Sequence, residues 1–309
     1  MPRLVNISIV QQGAVHLNLS ASLERLKTIV QQAADQQVKL LVFGEGWLSG
    51  YPGVWFDHVP EAALWNHTST KRVFQRFYEN SITVDGDELR AIREQAREHQ
   101  IVICLGFNEK VRGQAGHGTL YNSLVIIDAD GQIRNHHRKL VPTYTERLVH
   151  GPGDARGLRA VSTAVGRVGA LICWEHWMPL TRQALHQAHE EIHIALWPTV
   201  HEMHQVASRH YAFEGRCFVV AAGQRMTADE LPDEFDRSAV KETQLLRGGS
   251  CVVAPDGRYV LAPDTNGRDL LTVEIDLDET IGEKMTLDVT GHYQRDDIFD
   301  FRVKDVRDT

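Results

Sequence analysis

The sequence predicts an α/β fold built from mixed sheets. Short apolar runs alternate with amphipathic stretches from one end of the chain to the other. Asp130-Gly131 and Asp256-Gly257 sit between adjacent strand signals as hairpin turns, which sets antiparallel pairs beside strand–helix–strand units. No Pro/Gly/Ser-rich linker divides the 309 residues, so they read as one domain, 1–309, with an irregular charged tail from about residue 280. Two such sheets with helices outside them would bury the apolar runs.

The elements follow in order. Leu4–Val10 is a strand, and Ser20 is the expected N-cap of an amphipathic helix reaching Gln37. Lys39–Phe43 (KLLVF) is a near-continuous apolar run, as suits a strand buried on both faces. Asp87–Gln100 is a helix whose wet side carries Glu88, Arg90, Arg93, Glu94 and Arg97; the strand Ile101–Phe107 follows. Leu120–Ile127 and Ile133–Arg138 form a hairpin, and Val161–Val165 with Arg167–Ile172 form a second pair around Gly166. Pro179 to about His189 is a helix with proline in its first turn. Ile192–Trp197 is a strand, Gln205–Gly215 a helix and Cys217–Ala222 a strand. Gly249–Ala254 and Tyr259–Leu261 make a last hairpin, and Leu270–Ile275 closes the series.

Composition narrows the function. The net charge is −8, which disfavours a nucleic-acid partner, since phosphate binding needs a basic face. No apolar stretch approaches the ~20 residues of a membrane span, and the N-terminal segment has no apolar signal core. Cysteines 104, 173, 217 and 251 form no CxxC and no disulfide framework, so a reducing cytoplasm is the expected compartment. The pairs His136/His137, His186/His189 and His201/His204 lack a third ligand at metal-site spacing, and no metal is expected.

Three polar residues each end an apolar strand: Glu45 after Leu40–Phe43, Lys139 after Ile133–Arg138, and Cys173 after Val168–Ile172. Strand ends in α/β sheets are where side chains converge on a crevice. If these strands neighbour one another, a carboxylate, an ammonium and a thiol meet at one rim. A thiol attacks only as thiolate; an adjacent lysine favours that form, and a carboxylate can take the proton. The same lysine can stabilise negative charge growing on a substrate atom. Each residue alone has an ordinary reading: packing for the cysteine, a turn for the glutamate, a solvated surface for the lysine.

Together their surroundings resemble the three signature blocks of the nitrilase superfamily of carbon–nitrogen hydrolases. GEGWLSGYP surrounds Glu45, HRKLVPTYTER surrounds Lys139 and CWEHWMPL surrounds Cys173, the three positions standing 94 and then 34 residues apart. TYTERLVHGPGD and CWEHWMPL are similar to the nitrilase branch in particular, and the likeness runs from about residue 4 to 300. It departs at Gly44, where the family often has proline, and at Asp296 in GHYQRDDIF, where a nitrilase block has proline.

The resemblance implies a four-layer αββα sandwich with two mixed sheets, and a nitrilase converting an organic nitrile to acid and ammonia. It implies Glu45, Lys139 and Cys173 as the catalytic set, with Glu146 as the family's second glutamate. It implies no cofactor, a small nitrile as substrate, and a homodimer or higher homo-oligomer, with the 179–189 helix as a candidate contact face. Tyr51, Trp174, Trp177, Trp197 and His201 are the candidate pocket residues, and Trp47 and Trp55 stand near by; the Trp174 N–H is a candidate anion donor. The alternatives are an amidase or cyanide-hydrolysing enzyme of the same superfamily, or a catalytically silent scaffold of the same fold.

Overall fold

The period-2 alternation of the apolar strands divides the molecule into layers. In Leu40–Phe43, Leu40 and Val42 face one way and Leu41 and Phe43 the other, and all four are buried. The computed structural model describes residues 2–304 other than 114 and 239. Its strands are β1 (Leu4–Val10), β2 (Leu40–Phe43), β3 (Val102–Lys110), β4 (Leu120–Ile127), β5 (Ile133–Arg138), β6 (Val161–Thr163), β7 (Gly166–Ile172), β8 (Ile192–Leu196), β9 (Phe218–Ala222), β10 (Arg225–Thr227), β11 (Gln244–Arg247), β12 (Ser250–Val253), β13 (Tyr259–Asp264) and β14 (Leu270–Asp276). Its α-helices are α1 (Leu19–Asp35), α2 (Gly53–His58), α3 (Thr68–Glu79), α4 (Asp87–His99), α5 (Pro179–Gln187), α6 (Glu202–Gly215) and α7 (Glu279–Lys284).

Two six-stranded sheets form, in the orders β14-β1-β2-β3-β4-β5 and β13-β12-β9-β8-β7-β6, with a separate β10-β11 ribbon. Both are mixed. β1, β2 and β3 run parallel while β4 and β5 pair antiparallel; β7, β8 and β9 run parallel while β6, β12 and β13 pair antiparallel. The inner faces share one core, with Ile7, Val42, Cys104 and Ile126 on one side and Val168, Ala170, Ile194 and Val220 on the other. α1 buries Leu26, Ile29, Val30 and Ala33, and α4 buries Leu89, Ile92 and Ala96, against the outer face of the first sheet. α5 and α6 cover the second sheet with Leu185, Ala207 and Tyr211, completing the αββα order.

Three local expectations change. α1 is capped by Asn18, whose side chain accepts from the Ala21 N–H at 3.1 Å, so the helix includes Ser20. The tail begins with the short helix α7 before it turns irregular. α2, α3 and the β10-β11 ribbon are additional to the expected elements. They share a third core holding Trp55, Val73, Phe77, Phe235 and Leu246. α3 buries only Val73 and Phe77, too thin an apolar stripe to stand out in the sequence. Among the described residues no helix is long and apolar enough to cross a membrane.

Candidate active site

The predicted residues do meet, but not by strand adjacency. β2 and β5 lie in one sheet with β3 and β4 between them, and β7 belongs to the other sheet. Strand direction brings them together. β2, β3 and β5 run the same way, so Glu45 and Lys139 leave the same edge of their sheet. Cys173 leaves the corresponding end of β7, and the shared core holds the two sheets face to face.

Glu45 stands on a tight turn over β3. A Cβ on Gly106 would strike the Gly44 carbonyl and crowd the Gly46 N–H, so only glycine lets the turn sit there. The second sheet pins the same turn: the Glu45 N–H donates to the Trp197 carbonyl at 3.3 Å, and Gln224 Nε2 donates to the Glu45 carbonyl at 2.7 Å. The Glu45 side chain accepts from Asn122 Nδ2 at 2.7 Å and from Lys139 Nζ at 2.8 Å, both at Oε1. Its Oε2 is buried without a partner among the described residues.

Lys139 is 1 % exposed. Its backbone N–H donates to the Asn122 carbonyl at 2.8 Å, so Asn122 registers both the glutamate and the lysine. Its Nζ donates to both Glu146 oxygens at 2.8 Å. Glu146 lies in a single 3₁₀ turn, Tyr144–Leu148, and also accepts from Tyr51 Oη at 2.7 Å and the Thr143 N–H at 3.2 Å. One oxygen of each glutamate and Cys173 Sγ lie within 4.8 Å of one another. That trio has the donor types of a small cation site, but the Lys139 ammonium bonds both of its carboxylates and already supplies the positive charge.

Cys173 is buried and has φ +54°, a left-handed conformation that costs a non-glycine residue of order 1–3 kcal/mol. The strained residue is the one that directly follows β7. The adjacent Trp174 N–H favours the ionised form of the Cys173 sulfur.

Electrostatics sort the protons. Burial pushes the Glu45 carboxyl up to about 7, against the pull of Lys139 and with help from Glu146. Burial alone would lower Lys139, but Cys173, Glu45 and Glu146 around it hold it well above the ordinary lysine range. Glu146 stays below the usual carboxylate value because Lys139 and Tyr51 outweigh its burial. The Cys173 thiol is pushed far up, first by burial and then by the two carboxylates, beyond what Lys139 and the Trp174 N–H recover. Lysine favours the thiolate, as expected from the sequence, but burial and the two carboxylates outweigh it, so the balance of causes favours the thiol beside a carboxylate that can take its proton.

The candidate pocket residues divide. Tyr51 joins the cluster through Glu146 and Trp174 through its backbone, while the Trp174 and Trp177 side chains are 55 % and 40 % exposed. The Trp197 ring is fully buried, stacked between His176 and His204 at 4.8 and 4.1 Å, and meets the site through its carbonyl. His201 is exposed at the start of α6. Trp47 packs on Phe43 and Trp55 on Phe77, both in cores. Asn122 and Gln224 are the contributors that sequence reasoning missed. The only signal for Asn122 was a buried amide inside an apolar strand.

A family model described as carbon-nitrogen hydrolase matches residues 6–283. The chain belongs to the carbon-nitrogen hydrolase family. An arylacetone-specific nitrilase of Alcaligenes faecalis is 36% identical over 95% of this chain and 83% of its own length. A nitrilase of Paraburkholderia phymatum is 33% identical over 98% of this chain and 87% of its own. The fold is shared with a carbon-nitrogen hydrolase of Helicobacter pylori (TM-score 0.70, 19% identity, 96% of this chain and 97% of that one). It is shared also with a branch 10 member of the nitrilase superfamily from Saccharomyces cerevisiae (TM-score 0.71, 18% identity, 94% and 97%).

Proposed function

We propose that this protein is a nitrilase that hydrolyses an organic nitrile to a carboxylic acid and ammonia, with Cys173 as nucleophile, Glu45 as general base, Lys139 as electrostatic partner and Glu146 as the group that orients Lys139. The observation that carries the reading is the buried ammonium held between two carboxylates beside a thiol.

Glu45 Oε2, the unpartnered oxygen, takes the thiol proton as sulfur attacks the nitrile carbon. The C–S bond forms, one π bond of the nitrile breaks, and its electron pair moves to nitrogen. Lys139 stabilises that charge, and the proton held by Glu45 completes a thioimidate. Glu45, ionised again, activates water against the thioimidate carbon. The C–N bond then breaks, ammonia leaves with a proton, and a thioester remains. A second water, again deprotonated by Glu45, cleaves the C–S bond and restores the thiol. The two waters supply both oxygens of the acid. Should the C–S bond break before the C–N bond, the product is an amide; a relative from Lupinus angustifolius, 30% identical over 97% of this chain, is named as a bifunctional nitrilase/nitrile hydratase.

The test is ammonia release from a panel of aliphatic, aromatic and arylacetonitriles set against the matching amides. Turnover of nitriles with a Cys173 adduct visible by mass supports the reading; turnover of amides alone overturns it. The substrate side belongs to the same proposal: a small nitrile, no nucleic acid and a cytoplasmic setting, which suits four free thiols. Pairing of two copies through the α5–α6 face is proposed as well, where Leu180, Met203, Val206 and Phe213 stand exposed.

A further inference from the structure

Glu175 lies two residues beyond Cys173, is 1 % exposed, and spends its whole carboxylate on donors. Oε1 accepts from the Leu140 N–H at 2.8 Å and from His137 Nε2 at 2.9 Å. Oε2 accepts from the Ile172 N–H at 2.7 Å and from the same His137 nitrogen at 3.0 Å. Leu140 directly follows Lys139, and Ile172 directly precedes Cys173. These two backbone sites belong to different sheets, and no ladder joins β5 to β7. We infer that Glu175 is a positioning residue for the proposed reaction: its carboxylate straps the Lys139-bearing strand end to the Cys173-bearing one and so sets the thiol–ammonium separation. The inference rests on the nitrilase reading for its chemistry but on this geometry for its substance.

The residue type follows from the donors. Every group aimed at the side chain is an N–H, so a carboxylate satisfies all of them, whereas an amide would turn its own NH₂ against one. Desolvation would favour the neutral acid, but His137 and the two backbone N–H groups keep the Glu175 carboxyl below its ordinary value. The strap is anchored on its far side: Thr181 Oγ1, on α5, donates to the Glu175 carbonyl at 2.8 Å. His176 Nδ1 donates to the Cys173 carbonyl at 2.6 Å, holding the strained turn from its other face. His137 is fully buried and, among the described residues, has no partner at Nδ1, so its side-chain hydrogen bonding there is its donation to Glu175.

The test compares the full chain with Glu175→Gln, reading kcat and KM on the hydrolysed nitrile and the rate at which iodoacetamide alkylates Cys173. Alkylation is followed by intact mass at neutral pH, with Cys173→Ala as the blank. Since misplacement of reacting groups by about 1 Å costs roughly 100-fold, kcat should fall about 100-fold with KM within about threefold. Cys173 alkylation should slow by about tenfold or more, in a protein whose circular dichroism is that of the parent. A folded Glu175→Gln that keeps either kcat or the alkylation rate within about threefold of the parent overturns the inference. If that variant does not fold, His137→Leu and His137→Gln decide. Removing the donor should slow Cys173 alkylation about tenfold, and the glutamine, which keeps an N–H, should restore it to within about threefold; equal rates in the pair overturn it. A parent that releases no ammonia from any nitrile overturns the functional reading instead, and the alkylation rates still judge Glu175.

Discussion

The acid limb of the activity profile should be set by Glu45 and moved by Glu146. Burial raises the Glu45 carboxyl to about 7. As a base it works only when ionised, so kcat/KM is full above that value and is lost as pH falls through it. Glu146 contributes to the rise because its negative charge disfavours a second one close by. One oxygen of each carboxylate lies within 4.8 Å of the other. Across that distance, with an effective dielectric constant of about 20, the repulsion is roughly 3.5 kcal/mol, or about 2.5 pH units, of which the variant should recover only part because Lys139 stands between the two carboxylates. Glu146→Gln removes it. It also frees the Lys139 ammonium, now shared between two carboxylates, to turn wholly toward Glu45, which acts in the same direction.

The expected result is a lower plateau, because Lys139 is less well held, together with an acid midpoint 1–2 pH units lower, at roughly 5–6. The assay is kcat/KM for ammonia release between pH 5 and about 9 for parent and variant. Iodoacetamide labelling of Cys173 over the same range serves as a substrate-free check. A midpoint that stays near the parent's, or moves up, refutes the reasoning. An upward move would mean that Glu146 acts by fixing Lys139 in place and that its charge is not felt at Glu45.

Cys173→Ala should abolish turnover and the single iodoacetamide adduct while leaving the circular dichroism spectrum of the parent; residual turnover would remove the nucleophile assignment. Glu109 is 3 % exposed and, against its burial, His136, Arg138 and Ser123 bring its carboxyl down to about 2. A carboxyl depressed in the folded state stabilises above its unfolded pKa and loses that contribution as pH falls through the folded one. Glu109→Gln should therefore cost roughly 3 kcal/mol near neutral pH, with the deficit shrinking from about pH 4.5 toward 2, as urea unfolding at several pH values would show. Leu180→Glu, on the exposed face of α5, should convert a dimer to a monomer by sedimentation velocity, and an unchanged mass would move the contact elsewhere.

The sequence carried the parts of the site that end regular elements and concealed the parts that lie inside them. Glu45 and Cys173 were legible because each follows a run of apolar residues in a strand buried on both faces, which leaves few other polar positions to weigh; Lys139 follows the polar strand IRNHHR and was legible through its HRKLVPTYTER block. Asn122 was not legible, because an amide within LYNSLVII looks like any half-buried strand residue until β3 and β5 flank it and Glu45 lies within reach. Trp197 shows the opposite case. An aromatic at a strand end suggests a pocket wall, yet its ring fills the space between two histidines and only its carbonyl reaches the site. Periodicity could not settle α3 or the β10-β11 ribbon, since the helix buries two positions, the ribbon only three, and all share one small core. The αββα layering came through the family resemblance; apolar runs alone required two buried sheets but did not order them.

The same burial that raises the Cys173 thiol also suits the proposed reaction. With Glu45 and Glu146 ionised, Lys139 charged and Cys173 neutral, the cluster carries one net negative charge. Passing the thiol proton to Glu45 leaves that total unchanged, so the transfer creates no new charge in a dry site and avoids the desolvation penalty of a free thiolate. In the proposed reaction the negative charge moves on to the nitrile nitrogen as sulfur attacks, toward the stationary ammonium. A lysine held rigidly between two carboxylates is therefore better suited to this step than a mobile one: its hydrogen bonds are already oriented, and little reorganises as the charge moves. That advantage requires the two sheets to keep their spacing. Gln224 and the Trp197 carbonyl reach from the second sheet to Glu45, and Glu175 reaches from the second sheet to Leu140. The Glu45 and Lys139 half of the cluster, carried by the first sheet, is thus fixed by the second, and the chemistry depends on the sandwich as a whole.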